Sequence, residues 1–175
     1  MDPTRSPSVT EMASRSTPLR LYETRVRPEW VDYNGHMSEA FYVLVFGYAT
    51  DALLDMVGMD DAYRKSTGTS LYTLEAHITY PREVIEGDPL GVTTQLLELD
   101  HKRLRVFHAM HHVEKKELVA TEELLLCNVD AATSRSAPMQ EEIAARLQSM
   151  LEAHYRLPVP EQVGRSITLR RRRLS

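Results

Sequence analysis

A short polar turn followed at once by a long apolar segment is the feature that most constrains this 175-residue chain. Residues 30–38 read WVDYNGHMS and place Asp32 on a turn that contains Gly35. The next segment is apolar almost all round for its first two turns, which predicts a helix over Glu39–Val57 that other structure covers. The fold must therefore supply a surface that packs around this helix.

The second half of the chain switches to a period of two residues, which is typical of strands with one apolar face. Four strands are predicted there, over 72–80, 90–99, 104–114 and 118–129. The apolar face of the first of them is predicted to hold Tyr72, Leu74, Ala76, Ile78 and Tyr80. Because the connections are short, we expect consecutive strands to be hairpin partners in an antiparallel sheet.

The order of the elements predicts an α+β fold in which one sheet covers one long helix. A first strand over 19–31 brings the sheet to about five strands, and a further helix is predicted over 139–155. We expect residues 1–18 to be a disordered leader, 19–155 to be the folded domain, and 156–175 to be an extension with a basic tail.

Composition argues against several classes of protein. The formal net charge of −4 and the lack of a basic helix indicate no nucleic acid and no membrane partner, and no segment is expected to span a bilayer. The lone cysteine, Cys127, excludes an internal disulfide framework and is predicted to be a packed thiol. A cytoplasmic protein is the expected result.

Asp32 is the candidate for chemistry at the turn. Attack on a carbonyl needs a base or a nucleophile and fixed N–H dipoles for the developing oxyanion, and the start of a helix supplies such dipoles. The alternative is that Asp32 only caps its own turn.

The string DYNGHM at residues 32–37 resembles the motif of the hotdog-fold acyl-CoA thioesterases of the 4-hydroxybenzoyl-CoA type. In that group a curved antiparallel sheet wraps a central helix. The resemblance covers roughly residues 19–130 and implies hydrolysis of a thioester, with Asp32 as general base or nucleophile. Ser38 and Glu39 depart from the paired Asn that is usual there.

Three strings resemble in particular the thioesterases associated with carnitine breakdown: DYNGHM at 32–37, YATDAL at 48–53 and SLYTLEAHI at 70–78. This resemblance implies that betainyl-CoA is hydrolysed to glycine betaine and CoA, so that the acyl group carries a trimethylammonium cation. It also implies a homodimer or a dimer of dimers with its site between subunits. No cofactor is expected beyond the CoA of the substrate.

A quaternary ammonium cannot donate a hydrogen bond, and proteins hold it against aromatic faces at about 0.5–2 kcal/mol per ring. The candidates for such a cage are Trp30, Tyr33, Phe41, Tyr42 and Tyr72. The alternative for Phe41 and Tyr72 is ordinary core packing.

Three further residues of the turn are candidates for the site. Asn34 could position the water or hold Asp32 in place, and Gly35 could contact the substrate. The resemblance implies that His36 supports the turn rather than acting as the base.

The remaining candidates lie elsewhere in the sequence. Glu75 is either an additional catalytic carboxylate or an interface residue. Lys102 and Arg103 flank a hairpin and either pair with CoA phosphates or are simply solvated. We expect no metal site, because no cysteine or close carboxylate joins the histidines and these do not share one face: His101, His108, His111 and His112.

Three rival functions stay open. A hotdog hydratase would need a longer Asp-x-x-x-x-His signature, which is absent at this turn. A catalytically silent acyl-CoA-binding module and a thioesterase for ordinary fatty or aromatic acyl groups fit the same residues.

Overall fold

The computed structural model describes residues 17–169. The predicted leader lies almost wholly outside the described residues, as does the basic run 170–173. The elements in chain order are β1 Leu19–Arg25, a 3-10 turn Pro28–Trp30, α1 Glu39–Val57, α2 Asp61–Thr67, β2 Thr69–Thr79, β3 Pro89–Leu99, β4 Arg103–His112, β5 Glu117–Asp130, β6 Arg135–Ser136 and α3 Glu141–His154.

The strands form one antiparallel sheet in the order β1-β3-β4-β5-β2, with the short β6 paired to β5. The hairpins β3–β4 and β4–β5 confirm the prediction, but the expected β2–β3 hairpin is wrong, because β2 pairs with β5 instead. Residues 80–88 therefore carry the chain from one edge of the sheet towards the other. On the way, the buried Val84 accepts a hydrogen bond from the backbone N–H of Met37 at 2.9 Å, which ties this connection to the residues before α1.

A bulge in β2 just before Glu75 changes which side chains share a face. Tyr72 pairs with Cys127. Ala76 pairs with Leu124, three positions away on the partner strand, so Tyr72 and Ala76 lie on opposite faces of the sheet. The predicted single apolar face from Tyr72 onwards is therefore wrong, because one extra residue reverses the alternation.

The sheet curls around α1, whose bounds agree with the prediction. The helix ends at Gly58, which has a φ of 90° in the left-handed region that favours glycine. The sheet-facing side of α1 is fully buried and includes Val45, Phe46, Ala49 and Leu53. Its other side is exposed at Val43, Leu44 and Tyr48, so the described residues cover only part of the helix.

By length and apolar composition, α1 meets the criteria for a membrane-spanning helix, which corrects the expectation that no segment does so. The core helix of a globular domain meets the same criteria. Here α1 packs against the curled sheet, which accounts for its composition.

The elements that flank α1 and the sheet differ from the prediction at two places. The first strand ends at Arg25, and a 3-10 turn replaces its predicted end. Helix α2 was not predicted, whereas α3 lies within the predicted span and buries Leu147 and Met150 against the second half of α1. Cys127 is a buried free thiol, as expected.

Candidate active site

The loop before α1 is closed by its own backbone. Val31 and Met37 form an isolated antiparallel bridge, and the N–H of Asp32 donates to the carbonyl of His36 at 2.9 Å. The N–H of Gly35 donates to the carbonyl of Asp32 at 3.0 Å. Gly35 has a φ of 79°, where a side chain would be strained, which explains the glycine in the motif. The turn is thus a compact unit that fixes the Asp32 backbone.

The carboxylate of Asp32 is half-buried and accepts a hydrogen bond from the N–H of Asn34 at 2.8 Å through Oδ1. This is the capping role that the sequence left as the alternative to catalysis. It occupies one oxygen, and no other side-chain hydrogen bond to this carboxylate is found within residues 17–169. The same turn can therefore both hold Asp32 and leave its second oxygen free to take a proton.

The start of α1 follows this loop directly. Ser38 is the N-cap residue, but its side chain makes no capping hydrogen bond. Its carbonyl accepts from the N–H of Phe41 at 3.0 Å. Because the first turn of a helix leaves N–H groups without intrahelical acceptors, it offers dipoles for a carbonyl oxygen close to Asp32 in sequence.

The predicted aromatic cage is not assembled within one chain. Trp30 is buried and stacks on Phe41 with ring centroids 5.8 Å apart, and the guanidinium carbon of Arg27 lies 5.0 Å from the Trp30 ring centre. Tyr33 is 96% exposed at the tip of the turn. Tyr72 comes before the bulge in β2 and lies on the face of the sheet that points away from α1. These rings therefore do not surround a common point in the single chain.

Tyr42, another of the predicted aromatic residues, packs against a ring outside the predicted cage. It is buried and meets Tyr80 edge to face, with centroids 5.3 Å apart. Burial raises the pKa of Tyr42, the Val84 backbone lowers it, and the charges of Glu83 and Asp32 raise it. The Asp32 carboxylate is thus within electrostatic reach of the Tyr42 hydroxyl.

Glu122 was not predicted. Glu122 is only 3% exposed and lies in β5 directly opposite His108 of β4 and Ile78 of β2. Burial raises the pKa of the Glu122 carboxyl to about 7. The sequence signal was its position between Ala120 and Leu124, two residues of the buried face of β5.

His108 is fully buried between α1 and the sheet. Its Nε2 lies 3.0 Å from the Thr50 hydroxyl, and its Nδ1 lies 2.8 Å from the Thr94 hydroxyl. Since Thr50 donates its proton to the carbonyl of Phe46, Nε2 is the donor and Nδ1 accepts from Thr94. Burial lowers the pKa of His108 to about 3, so the ring is neutral and already bonded on both sides.

Two more predicted residues of the turn lie where they can support it. The Nε2 of His36 is 3.4 Å from a carboxylate oxygen of Glu83, in the connection that passes the helix start. This contact fits a role in holding the turn. Asn34 is exposed and contributes its backbone N–H to Asp32.

The remaining candidates lie apart from Asp32 in the single chain. Glu75 is exposed on β2 beside a groove of about 860 Å³ that the segment 164–167 also lines. Lys102 and Arg103 occupy the β3–β4 turn, where Asp100 accepts from both backbones and from the Arg103 guanidinium. This turn is at the far end of β3 from Pro89, whereas the Asp32 loop packs near the start of β3.

Comparison with known proteins places the chain. Residues 26–147 match the thioesterase-like superfamily. The chain is 50% identical over 151 residues to a betainyl-CoA thioesterase of Pseudomonas aeruginosa, which covers 86% of this chain and 95% of that protein. It is 41% identical over 156 residues to an L-carnitine dehydrogenase/betainyl-CoA thioesterase of Rhizobium meliloti, covering 89% of this chain but 31% of that longer protein.

Solved structures give the same answer for the fold. A Staphylococcus aureus protein in complex with CoA superposes with a TM-score of 0.81 at 27% identity, covering 87% of this chain and 96% of that one. The chain belongs to the thioesterase-like superfamily, and its fold is the hotdog fold that the sequence motif implied. The resemblance to the thioesterases is therefore confirmed for the sequence family and for the fold.

Proposed function

We propose that this acyl-CoA thioesterase hydrolyses betainyl-CoA to glycine betaine and CoA, with Asp32 as the catalytic carboxylate. The observation that carries the proposal is the Asp32 turn at the start of α1, within a chain half identical to a betainyl-CoA thioesterase over nearly the whole of that protein. The identity supports the substrate, and the turn supports the residue.

The reaction follows from what the turn presents. Asp32 takes a proton from water, which attacks the thioester carbon, and the oxyanion accepts hydrogen bonds from N–H groups at a helix start. The tetrahedral intermediate then breaks its carbon–sulfur bond, and the sulfur takes the proton from Asp32, so CoA leaves as its thiol. The second route is direct attack by Asp32 on the thioester carbon, which expels the CoA thiolate and gives an anhydride that water hydrolyses.

The proposal includes a homodimer or a dimer of dimers. It is supported by apolar side chains on the uncovered side of α1 and on the edge strand β2: Val43, Leu44, Tyr48, Tyr72 and Leu74. An edge strand and an exposed apolar patch are both typical of an interface. Since the β3–β4 turn is remote from Asp32 in one chain, Lys102 and Arg103 would serve a site completed by a partner.

We place the reaction in the cytoplasm. The proposal is supported by the free, buried state of the single cysteine, which needs no oxidising compartment.

The test is release of free thiol from betainyl-CoA, butyryl-CoA, palmitoyl-CoA and 4-hydroxybenzoyl-CoA by the parent protein and by Asp32→Asn. We expect preferential cleavage of betainyl-CoA and a loss of at least about 100-fold in Asp32→Asn, since that variant cannot accept the proton. Asp61→Asn, an exposed change in α2, is the matched control and should retain activity.

The other outcomes separate the alternatives. Cleavage of the neutral esters alone would keep the thioesterase and discard betainyl-CoA as the substrate. Binding of acyl-CoA without thiol release would identify a binding module instead.

A further inference from the structure

Glu122 is a buried carboxyl group whose ionised form is stabilised by no hydrogen bond or positive charge among residues 17–169. Its residue is 3% exposed, and burial is the one influence that shifts its pKa, with no hydrogen bond or opposite charge among the described residues acting on it. A buried charge without a partner is costly, and proteins normally pair such a group. A ligand that brings a positive charge would remove that cost.

The neighbours of Glu122 within the sheet cannot supply the charge. His108, across from it on β4, is neutral and already bonds Thr50 and Thr94. Ile78, across from it on β2, is apolar. The carboxylate therefore lies on the side of the sheet that faces α1, with no cationic side chain directly opposite it on either neighbouring strand.

Two aromatic rings connect this carboxylate to the catalytic turn. Tyr80 follows Ile78 by two positions and so lies on the same side of β2 as the face that meets Glu122. Tyr80 packs edge to face against Tyr42, and Tyr42 is the ring that feels the charge of Asp32. Tyr80 is 44% exposed, so a ligand can reach this ring from outside, and the charge of Glu122 acts on its hydroxyl.

We propose that Glu122, Tyr80 and Tyr42 form the subsite that binds the trimethylammonium group of the substrate. The inference rests on the proposed function and specifies how the acyl group is recognised. A quaternary ammonium has no proton to donate, so it is bound by aromatic faces and by an opposite charge, and both are present here. Only one methylene joins that group to the thioester carbon, so its subsite must lie close to the proposed catalytic carboxylate, and the charge of Asp32 acts on the Tyr42 hydroxyl.

The subsite also predicts rejection of neutral acyl groups. A tert-butyl group has the shape of trimethylammonium but would leave Glu122 buried without a partner. Glu122 therefore discriminates by charge rather than by size. Among the predicted cage residues only Tyr42 takes part.

The experiment compares two isosteric substrates, betainyl-CoA and 3,3-dimethylbutyryl-CoA, in the parent and in Glu122→Gln. We expect Glu122→Gln to lower kcat/KM for betainyl-CoA by about tenfold or more through KM. Activity on 3,3-dimethylbutyryl-CoA should rise, because the variant removes the carboxylate that a neutral group leaves buried without a partner. Glu114→Gln, at an exposed position after β4, is the matched control and should leave both values unchanged.

A second pair of variants tests the aromatic part on a residue at the surface. Tyr80→Leu should raise KM for betainyl-CoA several-fold. Tyr80→Phe should keep KM near the parent value, because a phenyl face also attracts the cation. Equal effects of Glu122→Gln on both substrates, or no effect on either, would overturn the subsite while leaving the thioesterase in place.

Direct binding separates the subsite from turnover. In titration calorimetry with tetramethylammonium chloride against sodium chloride, we expect heat of binding with the parent and its loss in Glu122→Gln. If the parent failed to cleave betainyl-CoA, the proposed function would fall. The subsite would then stand on this binding, and absence of the binding would overturn it.

Discussion

Two adjacent glutamates of β5 have opposite surroundings. Glu123 points to the outer side of the sheet, where it accepts from the Arg105 guanidinium at 2.7 Å and from the N–H of Gly164 at 2.7 Å. Glu122 points to the side of α1 and finds no such partner among the described residues. A paired carboxylate holds chain segments together, whereas a buried unpaired one keeps its proton to a higher pH unless a positive charge is brought to it.

The largest expected effect is on the pH dependence of stability. Because burial raises the pKa of Glu122 from 4.5 to about 7, the unfolded chain loses this proton first as the pH rises, and folding loses free energy between those values. Glu122→Gln removes that loss, worth up to about 3 kcal/mol. The measurement is urea unfolding at pH 5 and pH 8.

The parent should lose more stability than Glu122→Gln between these two values, and Glu114→Gln should follow the parent. His108 also makes stability depend on pH, because its ring takes up a proton more readily in the unfolded chain than in the folded one. It is present in every variant, so its contribution cancels in the comparison. An identical pH slope in the parent and in Glu122→Gln would show that Glu122 is solvated or paired.

The neighbouring Glu123 is expected to contribute to stability and not to substrate preference. Glu123→Gln weakens the contact with Arg105 and with the segment around Gly164, so we expect a loss of about 1–2 kcal/mol at pH 7. The preference for betainyl-CoA over 3,3-dimethylbutyryl-CoA should not change. A changed preference in Glu123→Gln would mean that the two faces of β5 are coupled and would break the contrast.

Local signals predicted much of the fold. The bounds of α1 followed from its apolar content and from Gly58, both of which are visible within one segment. The β2–β3 hairpin was wrong because a turn signal near Pro89 does not reveal that residues 80–88 first cross to another edge. Long-range strand pairing depends on which surface covers the helix, and no single segment encodes it.

The candidate site was predictable only where its residues are close in sequence. The Asp32 turn could be predicted because its hydrogen bonds are local. Proximity in sequence also selected Trp30, but the structure stacks it on Phe41. Glu122 lies 90 positions from Asp32, and only the register of β5 shows that it faces α1 rather than solvent.

The smallest expected effect links the contrast to substrate binding. Ionised Glu122 attracts the cation and protonated Glu122 does not, so KM for betainyl-CoA should rise as the pH falls from 8 to 6. With the pKa of Glu122 raised to about 7, the rise should reach at most about tenfold. KM for 3,3-dimethylbutyryl-CoA should not rise over this range, and Glu122→Gln should show no rise for betainyl-CoA.

The other titratable groups near Glu122 do not produce the same pH dependence of KM. His108 of β4 stays neutral because burial lowers its pKa to about 3, and Tyr42 of α1 and Tyr80 after β2 stay neutral because their pKa values are raised. A pH profile shared by both substrates would therefore exclude Glu122 as its cause, whereas a profile confined to betainyl-CoA assigns it to Glu122.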